Sequence, residues 1–250
     1  RDLHTVVTMD FISGEIIGID KPLGWTSFDV VKRLRGAIQR RLGLSRFKVG
    51  HAGTLDPLAT GVLLICTGRA TRRIDELQNG TKEYEATLRL GATTPSFDLE
   101  TEIDATYPYD HVTRQMAESI LPQFRGHIMQ VPPVYSAVKV DGKRAYKFAR
   151  KGREVELKAK PLYIDEIEIM DMHADELRLR IVCSKGTYIR ALARDIGKAL
   201  NTGAHLVALR RTRVGSVRVA DCLSVDDAIK AIADCKLSFP PDFILPDSDK

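Results

Sequence analysis

Ile164-Asp165-Glu166-Ile167-Glu168-Ile169-Met170 is followed closely by Leu177-Arg178-Leu179-Arg180-Ile181-Val182-Cys183. Both runs alternate apolar with charged residues, the period of a strand with one buried face. The first carries acids on its polar face and the second carries bases, so an antiparallel pairing sets opposite charges against each other. The stretch between them, 171–176, is too short for the crossover that parallel strands require. Working outward, Gly14–Asp20, Val62–Cys66, Thr81–Leu90 and Ala204–Val214 also read as strands. Thr26 or Ser27 caps a helix that carries Val30, Val31, Leu34 and Ile38 on one side. Further helices are expected over Thr113–Leu121, Thr187–Leu200 and Val225–Ile232, and Gly50–Pro57 reads as a loop of small residues. The expected fold is α/β (α+β), a mixed, largely antiparallel sheet flanked by helices over 14–236. A loose arm (1–13) precedes it, an irregular basic insertion occupies about 131–153, and a tail (237–250) follows.

The 250 residues are 44% hydrophobic, enough for a sizeable core, which excludes a disordered or fibrous chain. No apolar run reaches the ~20 residues of a membrane-spanning helix, so no membrane partner is expected. Residues 1–10 lack the apolar centre of a signal peptide. Cys66, Cys183, Cys222 and Cys235 are far apart and no His pair has ligand spacing, so neither a disulfide framework nor a metal site is expected. A reducing cytoplasm suits such a chain.

The net charge of +5 is unevenly spread. Lys32, Arg33, Arg35, Arg40, Arg41, Arg46 and Lys48 stand together with no acid among them. Lys139, Lys143, Arg144, Lys147, Arg150, Lys151 and Arg153 form a second group, with Tyr135 and Tyr146 interleaved, and Arg210, Arg211, Arg213 and Arg218 a third. Each group alone reads as a solvated face. Together they point to phosphate contacts, with tyrosines able to stack on unpaired bases.

Generic signatures are absent: there is no G-x-G-x-x-G, G-x-x-x-x-G-K-[ST], H-E-x-x-H or G-x-S-x-G. What remains is Gly50-His51-Ala52-Gly53-Thr54-Leu55-Asp56-Pro57-Leu58-Ala59-Thr60-Gly61, a tight glycine-rich loop around one carboxylate. From composition alone Asp56 reads first as a turn or helix cap.

The motif, however, resembles the catalytic-aspartate motif of the TruB-type tRNA pseudouridine(55) synthase family. Three further segments resemble that family in the same order: Asp20-Lys21-Pro22-Leu23-Gly24-Trp25-Thr26-Ser27, Lys82-Glu83-Tyr84 with Gly91-Ala92-Thr93-Thr94, and Ser184-Lys185-Gly186-Thr187-Tyr188-Ile189-Arg190. Gly203-Ala204-His205 and Leu209-Arg210-Arg211 follow as in the family, whereas Ala52 stands where the family often has Thr. With 35 residues after Gly215, the C-terminal PUA module of many members is not expected. The resemblance implies a pseudouridine-synthase-type sheet with a central cleft, and isomerisation of the T-loop uridine of tRNA without a cofactor, by a monomer. It casts Asp56 as the essential carboxylate, ionised although shielded from water. Arg190 stands beside it, Tyr84 stacks on the flipped base, Tyr188 serves as hydrogen-bond partner and Leu209 as apolar wall. His51, Lys21 and Lys185 are assigned to substrate positioning. Lys32, Arg33, Arg40 and Arg41 are assigned to stem phosphates, and Lys139, Lys143, Arg144, Lys147 and Arg150 to an insertion that closes over the T-arm. Two alternatives stay open at this point: an RNA chaperone on the same fold, and a glycosidase-like hydrolase that releases free base.

Overall fold

The computed structural model describes residues 6–134, 139–140, 143–144 and 157–244. These fall into two compact units, one built from residues up to Gly80 together with those from Arg213 onward, the other from Thr81–Thr212. Elements are numbered along the chain.

The first unit contains β1 (Thr8–Met9), β2 (Ile16–Lys21), α1 (Ser27–Leu42), β3 (Val49–Ala52), β4 (Ala59–Thr67) and α2 (Ile74–Gln78), then β14 (Val217–Arg218), α5 (Val225–Asp234) and β15 (Lys236–Leu237). Thr26 starts α1 with a capping box: its hydroxyl accepts from the Asp29 N–H at 2.9 Å, and the Asp29 carboxylate accepts from the Thr26 N–H at 2.9 Å. Thr26, first through its backbone N–H and then through its side chain, holds the Asp29 carboxyl below its ordinary range. The expected apolar face, Val30, Val31, Leu34 and Ile38, is buried, and α1 packs against α5. β4 pairs antiparallel with both β2 and β3.

Two expectations change here. The segment read as a loop from Gly50 is a strand as far as Ala52, because the backbone of β4 offers it a ladder, and the loop begins only at Gly53. Within the arm read as loose, Thr8–Met9 and Phe11 are tied down: β1 pairs in parallel with β15, and Phe11 is 1% exposed.

The second unit contains β5 (Lys82–Leu90), β6 (Ala92–Thr93), β7 (Ala105–Thr106), α3 (Arg114–Ile120), β8 (Gly126–Gln130), β9 (Lys139–Val140), β10 (Lys143–Arg144), β11 (Lys160–His173), β12 (Glu176–Cys183), α4 (Ile189–Ala199) and most of β13 (Ala204–Val214). Its sheet has the order β13-β5-β12-β11-β8. β5, β12, β11 and β8 are antiparallel neighbours in succession. The charge pattern places Glu168 opposite Arg180 and Asp171 opposite Arg178. Arg180 also donates to Glu166 at 2.6 Å and to Glu83 at 2.9 Å, and three carboxylates push its guanidinium pKa up. On the other face, Ile189, Leu192, Ala193, Ile196 and Leu200 pack with Leu88, Leu177, Leu179 and Ile181. Each large side chain buried there stabilises the unit by about 1.5–3 kcal/mol. Among the described residues no helix is long and apolar enough to cross a membrane.

Candidate active site

In the first unit, β3 carries His51 and stops at Ala52, and Gly53 turns the chain with φ +96, a conformation that a side chain would strain. Leu55 tucks in at 3% exposure while Asp56 stays exposed. The loop is fixed from several sides. The Ser27 hydroxyl accepts from the Leu55 N–H at 2.9 Å and donates to the Leu55 carbonyl at 3.1 Å. The Ala59 N–H donates to the Asp56 carbonyl at 2.9 Å, and the Gly24 N–H donates to the Pro57 carbonyl at 2.7 Å. The Asp20–Ser27 motif is therefore the bracket that holds the Asp56 loop.

Lys21 belongs to that bracket. It is fully buried, and its Nζ donates to the Pro22 carbonyl at 2.9 Å and the Trp25 carbonyl at 2.6 Å. Its ammonium thus braces the turn from inside. His51 is half-buried. Lys32, Arg33, Arg40 and Arg41 are exposed along α1, with Arg41 also donating to the Cys235 carbonyl at 2.9 Å. Asp56, expected to be shielded from water, is exposed on its loop.

In the second unit, Tyr84 lies on β5 opposite Ile181 and is 8% exposed, within the apolar cluster. Leu209 is half-buried and packs against the same cluster, and Lys185 is exposed in the turn before α4. Tyr188 is the N-cap of α4, and its own side chain makes no capping bond. Gln130 instead holds the backbone of Tyr188 itself: its Oε1 accepts from the Tyr188 N–H at 3.0 Å and its Nε2 donates to the Tyr188 carbonyl at 3.2 Å.

Arg190 sits in the first turn of α4 and is 8% exposed. A cation there opposes the helix dipole and is desolvated as well, so it needs an anion nearby. Asp98 answers this, with its Oδ2 3.9 Å from Arg190 Nε, and the Ser96 carbonyl accepts from Arg190 Nη1 at 3.3 Å. The Ser96 hydroxyl and the Glu100 N–H both donate to Asp98 Oδ1, at 2.6 and 2.9 Å. The backbone reaches this shape through Phe97 at φ 66, a costly value for a bulky residue. The Leu206 N–H on the Phe97 carbonyl, at 2.8 Å, and Arg194 over its ring, at 4.7 Å, hold it there. Asp98 and Gln130 escaped the sequence reading. Ser-x-Asp in a turn is a pattern that bonds back on itself, and it is the signal that could have found Asp98.

Lys82, opposite Cys183 on β12, is 7% exposed. Burial, reinforced by the Arg211 charge, pulls its ammonium down to about 8, and burial pushes the Cys183 thiol up to about 12. Of the insertion, Tyr135, Tyr146, Lys147 and Arg150 lie outside the described residues, and Lys139, Lys143 and Arg144 are described only as the backbone of the β9–β10 pair.

Comparison with known proteins adds a family. Residues 39–189 match the model of the TruB family pseudouridylate synthase N-terminal domain, and residues 190–245 match the tRNA pseudouridylate synthase B C-terminal domain. A Phocaeicola vulgatus protein named tRNA pseudouridine synthase B is 66% identical over 218 residues, spanning 87% of this chain and 93% of that one. A Flavobacterium johnsoniae protein of the same name is 49% identical over 217 residues, spanning 86% and 95%. Among solved structures, a Cbf5-Nop10-Gar1 complex matches with TM-score 0.65 and 29% identity over 92% of this chain, which spans 56% of the matched chain. The two family models together run through both units and take in Asp56, Tyr84, Tyr188 and Arg190. The chain belongs to the TruB family of pseudouridylate synthases and is an isomerase.

Proposed function

We propose that the chain converts the T-loop uridine at position 55 of tRNA to pseudouridine, with Asp56 as the essential carboxylate. The observation that carries this reading is the Asp56 loop: one exposed carboxylate on a backbone held at Leu55, Asp56 and Pro57. Relatives at 66% and 49% identity bear the name tRNA pseudouridine synthase B, which supports the substrate class.

The reaction detaches uracil from C1′ of its ribose, turns the ring and rejoins it through C5. Atoms and electrons balance within the nucleotide itself. A stacked uridine in a folded loop is out of reach, so it is extruded, at a cost of a few kcal/mol that stacking and phosphate contacts offset. The exposed state of Asp56 sharpens the account. The incoming nucleoside removes water from around this side chain, which strengthens its electrostatics at the moment of reaction. Tyr84, Tyr188 and Arg190 serve the same reaction. Lys32, Arg33 and Arg40, exposed on α1, take stem phosphates.

The test is tritium release from RNA labelled at uridine C5, because rejoining at C5 expels that hydrogen. Release is expected from an unmodified tRNA transcript and from an isolated T-arm hairpin. Absence of release from both overturns the reading.

A further inference from the structure

Two buried side chains, one in each unit, make the same arrangement. Ser27, 4% exposed, closes with one hydroxyl on both the N–H and the carbonyl of Leu55, the residue before Asp56. Gln130, 2% exposed, closes with one amide on both the N–H and the carbonyl of Tyr188, two residues before Arg190. Neither clasped residue lies within a strand or helix. At Leu55 one side chain reaching across from another element holds both backbone groups, and at Tyr188 Gln130 holds the N–H and shares the carbonyl with the first bond of α4, from the Leu192 N–H at 3.1 Å.

Both clasps are themselves anchored. Ser27 is the first residue of α1, whose start is set by the Thr26–Asp29 capping box. Gln130 closes β8, which is paired to β11 with Gln130 opposite Lys160. A clasp on both polar groups of one residue removes the freedom of its two flanking peptide planes. The side chain that follows, Asp56 in one unit, or the clasped Tyr188 itself in the other, is thereby aimed.

We infer that Ser27 and Gln130 are positioning residues for the isomerisation, acting through Leu55 and Tyr188 without touching substrate. The inference rests on the proposed reaction and adds which buried groups hold its residues in register. Misplacement of a reacting group by about 1 Å costs on the order of 100-fold in rate, so loss of a clasp should appear in the chemical step and not in RNA affinity.

The experiment measures single-turnover tritium release at saturating T-arm RNA, the RNA dissociation constant, and amide hydrogen exchange over residues 53–58 and 187–190. It compares the wild-type chain with Ser27→Ala, Ser27→Thr and Gln130→Met. Ser27→Ala and Gln130→Met are expected to slow the single-turnover rate by about 10- to 100-fold with the dissociation constant within about twofold. Each should also speed exchange of its own clasped segment only. Ser27→Thr, which keeps the hydroxyl, should recover most of the rate. Rates within twofold of wild type in both variants overturn the inference. So does a rate loss matched by an equal loss of folded protein or of RNA affinity, since the role is then structural. A wild-type chain without tritium release sinks the proposed function itself and the inference with it, whereas an active wild type with unaffected variants sinks the inference alone.

Discussion

Asp56 and Arg190 are presented in opposite ways. Asp56 stands exposed on a loop whose backbone is pinned at Leu55 and Pro57. Arg190 is 8% exposed, faces Asp98 at 3.9 Å and donates to the Ser96 carbonyl, so it is part of the packing of its unit. On the proposed reaction, function and stability are expected to separate at the first position and to be entangled at the second. An exposed side chain on a loop held through its backbone is expected to be changed at small structural cost. A buried guanidinium is not, because its removal leaves Asp98 as an uncompensated buried charge.

The strongest way to break this contrast is Asp56→Asn. Turnover should fall by more than about 1,000-fold, a loss of ~4 kcal/mol or more of transition-state stabilisation. RNA affinity and the unfolding midpoint should stay at wild-type values. Tritium release, filter binding and thermal denaturation measure the three, and a large drop in the midpoint would show that Asp56 does structural work after all. Arg190→Met is the counterpart. It should cost about 3–5 kcal/mol in urea unfolding as well as most of the activity. The double change Arg190→Met with Asp98→Asn should recover part of the stability but not the activity, and recovery of both would demote the pair to a structural one.

Smaller effects test the surface and the interior. Lys32→Ala, Arg33→Ala and Arg40→Ala should each weaken T-arm binding several-fold. Each should flatten the dependence of log affinity on log salt by roughly 0.7–0.9 if it neutralises one phosphate. Unchanged slopes would return these side chains to ordinary surface. Lys82 offers a pH test. Its ammonium is pulled down from 10.5 to about 8, so between those values the unfolded chain binds more protons than the folded one. Stability from this group is therefore lowest below pH 8 and rises as pH climbs through 8. Cys183, pushed up from 9.0 to about 12, works in the opposite sense only above pH 9. Between pH 7 and 9 the wild type should gain about 1 kcal/mol over Lys82→Met in urea unfolding. Parallel curves would mean that Lys82 keeps an ordinary ammonium.

The same contrast marks what the sequence could disclose. Alternation over Ile164–Met170 and Leu177–Cys183 reported the β11–β12 pair and its facing charges, because strand period and charge pairing are local in effect. Ala204–Val214 was legible to the residue for the same reason. The pairing of β1 with β15 was not, since nothing in Thr8–Met9 or Lys236–Leu237 points to a partner at the far end of the chain. β3 was missed because Gly50 and His51 are poor strand formers, and only the neighbouring β4 makes them one. At the site, Asp56 became visible through the motif around it, while its exposure did not, since that depends on how a short loop leaves β3. Asp98 and Gln130 stayed hidden because their meaning lies in Arg190 and Tyr188, which are distant in sequence.

The most direct measurement of the central claim is the identity and place of the product. T-arm RNA incubated with the chain is digested to nucleosides, and the position of any change is read along the strand. The account predicts one pseudouridine per RNA, at the T-loop uridine numbered 55, and none with Asp56→Asn. Free uracil with an abasic ribose, or an unchanged uridine at that position, would contradict it.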